Sequence, residues 1–77
     1  MKFEKKKVDR LDQPGQVKIV YTCEKFTMTA DSMGVSFSGE SPALTNQDEL
    51  QNFALFVSEA WKDHAKLKKA VTSAILN

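Results

Sequence analysis

The sequence predicts an α+β fold, in which an antiparallel three- to four-stranded β-meander is followed by one long, bent C-terminal α-helix. Two observations predict it: apolar and polar residues alternate with period two over 16–38, and good helix formers without Pro or Gly occupy 46–76. A length of 77 residues leaves room for one domain. We therefore expect a single β-β-β-β-α domain over 1–77, with a basic edge strand or arm at 1–10, the meander at 16–38 and the helix at 46–76.

The meander is indicated by side-chain parity. The residues expected to face the core are Val17, Ile19, Tyr21 and Cys23, then Phe26, Met28 and Ala30, and then Val35 and Phe37. The parity slips between Cys23 and Phe26, which predicts a tight turn or bulge near Glu24–Lys25. Asp31–Gly34 has the composition of a hairpin turn, because Gly34 can adopt a positive φ.

The first ten residues leave two alternatives open. Phe3 and Val8 suit a strand but fall on opposite faces, and the lysines around them suit a sheet edge, where charge discourages pairing with another chain. The other alternative is a disordered basic arm. Residues 11–15 then supply a Pro-Gly turn.

The helix is predicted to begin with Thr45 as its N-cap and Asp48 three residues later. At about 100° per residue one apolar stripe forms; it contains Leu50, Phe53, Ala54, Val57, Ala60, Trp61 and His64. Aromatic residues on such a stripe are expected in the core, Trp61 and Phe53 included. Because Lys68 falls in the middle of the continued stripe, we expect the helix to bend or to leave the sheet near residues 66–68.

The length of this helix predicts self-association. Some 30 residues extend about 45 Å, whereas a seven-residue strand spans about 23 Å, so one small sheet cannot cover the whole apolar stripe. Residues 53–57 are also apolar around most of the helix circumference. We therefore expect a homodimer. Its candidate interface residues are Phe53, Leu55, Phe56, Val71 and Ile75.

Composition argues against most kinds of catalytic site. One cysteine excludes an internal disulfide framework, and no Gly-rich phosphate loop, HExxH, EF-hand series or nucleophile elbow is present. We expect no enzyme, cofactor, metal or membrane partner, and a cytoplasmic location in a reducing compartment. Cys23 and His64 are interpreted as a core thiol and a partly buried histidine, since neither has an identifiable catalytic neighbour.

The basic residues lie towards the two ends of the chain, although the formal net charge is only +1. Lys62, Lys66 and Lys69 share the helix face opposite the apolar stripe, and Lys18 and Lys25 are predicted on the outward face of the sheet. Lysines and hydroxyls on one open face could follow a phosphate backbone. The candidate nucleic-acid-binding residues are Lys5, Lys7, Lys18, Lys25, Lys62, Lys66 and Lys69.

The order of elements resembles the PC4-like single-stranded-DNA-binding family, named after a transcriptional coactivator. The similar part is the last strand, at 34–38, a short loop, and a helix carrying Leu50, Phe53 and Trp61. The resemblance implies a curved four-stranded sheet, dimerisation through the helices, and binding of unpaired nucleic acid on the outward sheet faces. This sequence departs from the family in lacking an outward aromatic platform and in being nearly neutral.

Two functions follow as hypotheses. The first is a small dimeric nucleic-acid-binding module, for single-stranded DNA, acting as an accessory factor in transcription, replication or recombination. The alternative is a protein-interaction or assembly module whose long C-terminal helix mediates self-association.

Overall fold

Four antiparallel strands form one sheet in chain order, and a single long helix packs across it. The computed structural model describes residues 2–9 and 17–76, the last three of these by backbone alone. The elements are β1 (Glu4–Asp9), β2 (Val17–Cys23), β3 (Phe26–Asp31), β4 (Gly34–Gly39) and α1 (Gln47–Leu76). This confirms the α+β class and the strand at the N-terminus, which lies at a sheet edge. The predicted Pro-Gly turn at 11–15 lies outside the described residues.

The register of the sheet confirms the predicted inward parity. Tyr21 is opposite Met28, which is in turn opposite Phe37, and Ile19, Ala30 and Val35 form the neighbouring row. The buried apolar residues belong to this face and to the helix above it; they are Phe3, Tyr21, Cys23, Phe26, Met28, Ala30 and Ala60. The opposite face carries hydroxyl groups from Thr22, Thr27, Thr29, Ser36 and Ser38.

The two predicted turns that fall within the described residues are present as two-residue hairpin connections. Cys23 pairs with Phe26, so Glu24 and Lys25 form the first turn, in which Glu24 adopts a φ of 54°. Lys25 therefore lies in a turn, and its predicted place on the outward sheet face is wrong. In the second turn the Asp31 carboxylate accepts hydrogen bonds from the amides of Met33 and Gly34, at 2.8 and 3.1 Å.

The helix begins one residue later than the capping pattern predicts. The Asn46 side-chain oxygen accepts a hydrogen bond from the Glu49 amide at 2.9 Å, which makes Asn46 the N-cap. Glu49 in turn accepts hydrogen bonds from the amide and hydroxyl of Thr45, and these bonds lower the pKa of Glu49. The prediction of Thr45 as N-cap is wrong because both Thr45 and Asn46 are good caps, and only the backbone path decides between them.

Replacing Asn46 with Ala should lower the free energy of unfolding by about 1 kcal/mol, since the Glu49 amide loses its acceptor. Urea denaturation followed by circular dichroism measures the change. Asn46→Asp keeps the acceptor and adds a negative charge at the helix N-terminus, so it should retain stability. Equal losses in the two variants would contradict this assignment of the cap.

The helix packs on the sheet through its first five turns and then continues beyond it. Phe53, Phe56, Val57 and Ala60 pack on the core, mainly above β3. After Leu67 every described side chain, 68–73, is exposed. The helix therefore leaves the sheet at 66–68, one of the two alternatives predicted there. The long dimension of the molecule is 47 Å against 21 and 15 Å, so the distal turns do not fold back on the sheet.

Candidate self-association surface

One side of the helix carries large apolar residues that no described part of the chain covers. Positions 50, 54, 57, 61, 64, 68 and 71 are separated alternately by four and three residues, so they form one stripe along the helix. We call this stripe the β4 flank. Three of its large apolar side chains are substantially exposed: Trp61 by 61%, Leu50 by 48% and Val71 by 38%. Only Val57 and His64 are partly or largely covered by the sheet.

Polar contacts on both sides of the helix set its rotation. Asp63 and Glu59 reach Lys5 on β1, at 3.2 and 3.1 Å. On the other side the Nδ1 atom of His64 lies 2.8 Å from the carbonyl oxygen of Asp31, at the end of β3. The stripe that contains Trp61 is consequently turned away from β1 and towards β4. A groove of about 430 Å³ borders Trp61 and continues along the overhanging turns past His64 and Lys68.

The strand on the same side is also uncovered. Phe37, on the inward face of β4, is 54% exposed and is stacked on Phe26 with ring centroids 5.9 Å apart. β4 forms one edge of the sheet, and its residues include no charge, whereas β1 at the other edge contains three lysines. Edge strands are usually protected by charge or by a covering element. The apolar, uncharged side of the molecule is therefore the side of β4.

The overall dimensions agree with an uncovered surface. The accessible surface is 5814 Å², about 1100 Å² more than the 4700 Å² or so expected of a compact monomer of 8.6 kDa. The radius of gyration of 13.9 Å likewise exceeds the value of about 11.5 Å expected for this length. Both differences agree with the elongated shape of 47 × 21 × 15 Å, in which the helix extends beyond its sheet.

The structure distributes the predicted interface residues over three environments. Phe53 and Phe56 pack within the chain itself, against Phe3 at centroid distances of 6.3 and 4.8 Å. Leu55 is 69% exposed, but it lies on the helix side remote from the sheet. Val71 belongs to the β4 flank, and the side chain of Ile75 lies outside the described residues. Sequence reasoning missed Trp61 as a surface residue; the alternating spacing of the β4 flank is the signal that separates it from the core stripe.

The predicted nucleic-acid-binding lysines fall on separate surfaces. Lys62, Lys66 and Lys69 lie together on the exposed helix side remote from the sheet, where no ion pair is found among the described residues. Lys18 lies on the outward sheet face, and Lys25 lies in the first hairpin turn. Lys5 and Lys7 share the inward parity of β1, and Lys5 is engaged with the helix. Only the three helix lysines are brought together.

A polar cluster joins β1 and β2 to the helix. The Tyr21 hydroxyl donates a hydrogen bond to Asp63, and the Lys5 ammonium lies 5.5 Å from the centre of the Tyr21 ring while it contacts both acids. Hydrogen bonding to Glu59, and then to Asp63, holds the pKa of Lys5 above its usual value. The cluster positions the helix, and no nucleophile with an adjacent base is found within it.

Tyr21 provides a titration test of this cluster, because it is the only tyrosine. Burial, followed by the hydrogen bond to Asp63, raises the pKa of Tyr21 from 10.0 to about 12. The unfolded chain ionises first, so Tyr21 stabilises the fold fully below pH 10, and this contribution is lost as the pH rises towards 12. We expect the phenolate absorbance of the native protein to appear near pH 12. A midpoint near 10 in the folded state would contradict the cluster.

Neither a bilayer-spanning helix nor a group of three or more potential metal ligands is found in the part of the chain that the structure describes. Comparison of the chain with protein-family models, with curated proteins and with solved structures gives no match.

Proposed function

We propose that this chain is an assembly module that forms a homodimer through the β4 flank of its long helix. The observation that carries the proposal is the exposure of Trp61, Leu50 and Val71 along one helix side, on a segment that extends beyond its own sheet. Burying a large apolar side chain is worth about 1.5–3 kcal/mol. A 77-residue domain has a small core, so association through this surface also adds to its stability.

The direct test is the mass in solution as a function of concentration. Sedimentation equilibrium should give twice the chain mass of 8.6 kDa in the micromolar range, with dissociation on dilution. Trp61 is the only tryptophan, so its emission should shift to shorter wavelength as the dimer forms and water is removed from the ring. A folded protein that remains monomeric throughout this range would overturn the proposal.

A second candidate function is binding of single-stranded nucleic acid, in the role of accessory factor named above. It is supported by the three lysines on the helix side remote from the sheet, which leave a local positive surface that the β4 flank does not use. The resemblance to the PC4-like family stays a prediction. The outward sheet face supplies hydroxyl groups but no aromatic ring among its described residues, so phosphate contacts would carry the binding.

Fluorescence anisotropy with a labelled oligothymidine tests this candidate. Binding should weaken steeply with salt, and changing Lys62, Lys66 and Lys69 together to Glu should abolish it. Lys18→Glu is the matched control for the outward sheet face. Loss of binding in the Lys18 variant alone would move the site to the sheet, and no binding at low salt by the folded wild type would discard this function.

A further inference from the structure

We infer that the partner of the β4 flank is a second copy of this chain whose helix runs antiparallel to the first, with Trp61 of each copy opposite His64 of the other. The inference rests on the proposed function, because it specifies the orientation of the same interface. Three features of the described residues carry it: the spacing of the stripe, the position of one lysine, and the charge distribution along the helix.

The spacing of the β4 flank is that of a two-helix seam. Its seven positions from Leu50 to Val71 alternate by four and three residues, which is the a/d repeat that lets side chains of one helix insert between those of another. Placing Trp61 opposite His64 of the other copy brings Val57 opposite Lys68 and Ala54 opposite Val71. Every position from 54 to 71 then has a partner on the second helix.

Lys68 decides against a parallel seam. It is exposed and lies within the stripe, so a parallel pair in register would place it directly opposite its own copy, a like-charge contact that destabilises helix pairs. The antiparallel pair opposes Lys68 with Val57, and the lysine stem can cover the valine while its ammonium group stays in water. The two Lys68 residues are then about 16 Å apart along the seam, which is the rise of the 11 residues from 57 to 68.

The charges of the helix favour the same orientation. Residues 47–60 contain Asp48, Glu49 and Glu59 and no basic residue, for a net charge of −3. Residues 61–76 contain four lysines and Asp63, for a net charge of +3. An antiparallel pair places each acidic half beside a basic half, whereas a parallel pair places like beside like. The electrostatic preference for the antiparallel pair is greatest at low ionic strength, since these charges lie outside the seam, where salt screens them.

The antiparallel pair also explains the overhang of the helix. Residues 68–73 extend beyond their own sheet and are exposed, and in this arrangement they lie beside residues 52–57 of the partner, where the partner's sheet is. A two-fold axis perpendicular to both helices puts the two sheets on one side of the helix pair, with their uncharged β4 edges turned towards each other. In a parallel pair the two overhangs would instead extend together into solvent.

Single-cysteine crosslinking tests the orientation. The variants are Ala54→Cys and Val71→Cys, both at exposed positions, carried on chains of different mass; Cys23, the only native cysteine, is buried. The two positions are about 26 Å apart along one helix, farther than a short bis-maleimide can reach. We expect a crosslinked dimer from the mixture of the two variants and none from either variant alone. The wild type and Leu55→Cys, on the remote helix side, serve as controls.

The outcomes separate the orientation from the function. Crosslinking within each variant alone, with no crosslink between the two chains of different mass in the mixture, would establish a parallel pair and overturn the inference while leaving the assembly module intact. A dimeric mass without crosslinks at either position would place the interface on another surface and overturn the inference. Crosslinks found only through Leu55→Cys would do the same. A monomeric mass would remove both proposals.

Discussion

Gly39→Ala should destabilise the fold by about 3–5 kcal/mol, among the largest effects of a single substitution in this chain. Gly39 has a φ of 87°, and a Cβ atom built there would overlap the carbonyl oxygen of Lys25 and lie 2.9 Å from its carbon. Neither backbone can move easily, because Glu40 donates a hydrogen bond to the same carbonyl at 3.3 Å. A domain of this size has a total stability of the same order as the loss.

Gly34→Ala is the matched control for that substitution. Gly34 has a φ of 150°, so alanine is strained there, but nothing lies within 4 Å of its added Cβ. Urea unfolding followed by circular dichroism should therefore show a clearly smaller loss at Gly34 than at Gly39. Equal losses at the two positions would mean that backbone conformation alone, and not the approach of β4 to the first hairpin turn, sets the cost.

Trp61→Lys should weaken self-association about 30- to 700-fold, the equivalent of 2–4 kcal/mol at an interface hot spot. Trp61 lies at the centre of the β4 flank and contacts His64 with ring centroids 4.8 Å apart. Because it is largely exposed in the single chain, its loss should leave the fold of the monomer intact. Sedimentation equilibrium measures the dissociation constant, and circular dichroism verifies the fold.

Leu55→Lys is the control for the choice of helix side. Leu55 is at least as exposed as Trp61, but its neighbours one turn away in either direction are polar or charged. Replacing it should change the dissociation constant by less than about fivefold, as expected for a residue outside the interface. If Leu55→Lys broke the dimer and Trp61→Lys did not, the interface would lie on the lysine-bearing side, and the β4 flank would lose its role.

Sequence reasoning works best in this chain where local chemistry acts alone. The alternation through Tyr21, Met28 and Phe37 identifies the strands and the face they bury, because a one-residue slip would turn every apolar side chain to solvent. The parity slip at Glu24 and the turn residues from Asp31 to Gly34 locate the β2–β3 and β3–β4 hairpins, because these signals also depend only on neighbouring residues. The predicted N-cap is one residue too early, since Thr45 and Asn46 can each cap a helix and the sequence does not show where the backbone becomes helical.

The candidate self-association surface is harder to predict from the sequence than the strands and turns are. Phe53 and Trp61 fall on the same broad apolar stripe of the sequence, yet Phe53 packs in the core and Trp61 is exposed. In the sequence Lys5 has the surroundings of an exposed lysine at a sheet edge. In the structure its ammonium group contacts Glu59 and Asp63 of the helix, 54 and 58 residues further along the chain. No local pattern contains these long-range pairs.

The amino-acid sequence by itself determined the strands, the turns and the length of the helix, because hydrophobic periodicity and backbone propensity act over a few neighbouring residues. Only the tertiary structure decided which side of that helix faces the sheet. The helix is apolar over more of its circumference than one sheet can cover, so periodicity permits several rotations. The contacts of Asp63 with Tyr21 and Lys5, and of His64 with Asp31, select one of them, and that rotation leaves Trp61 exposed.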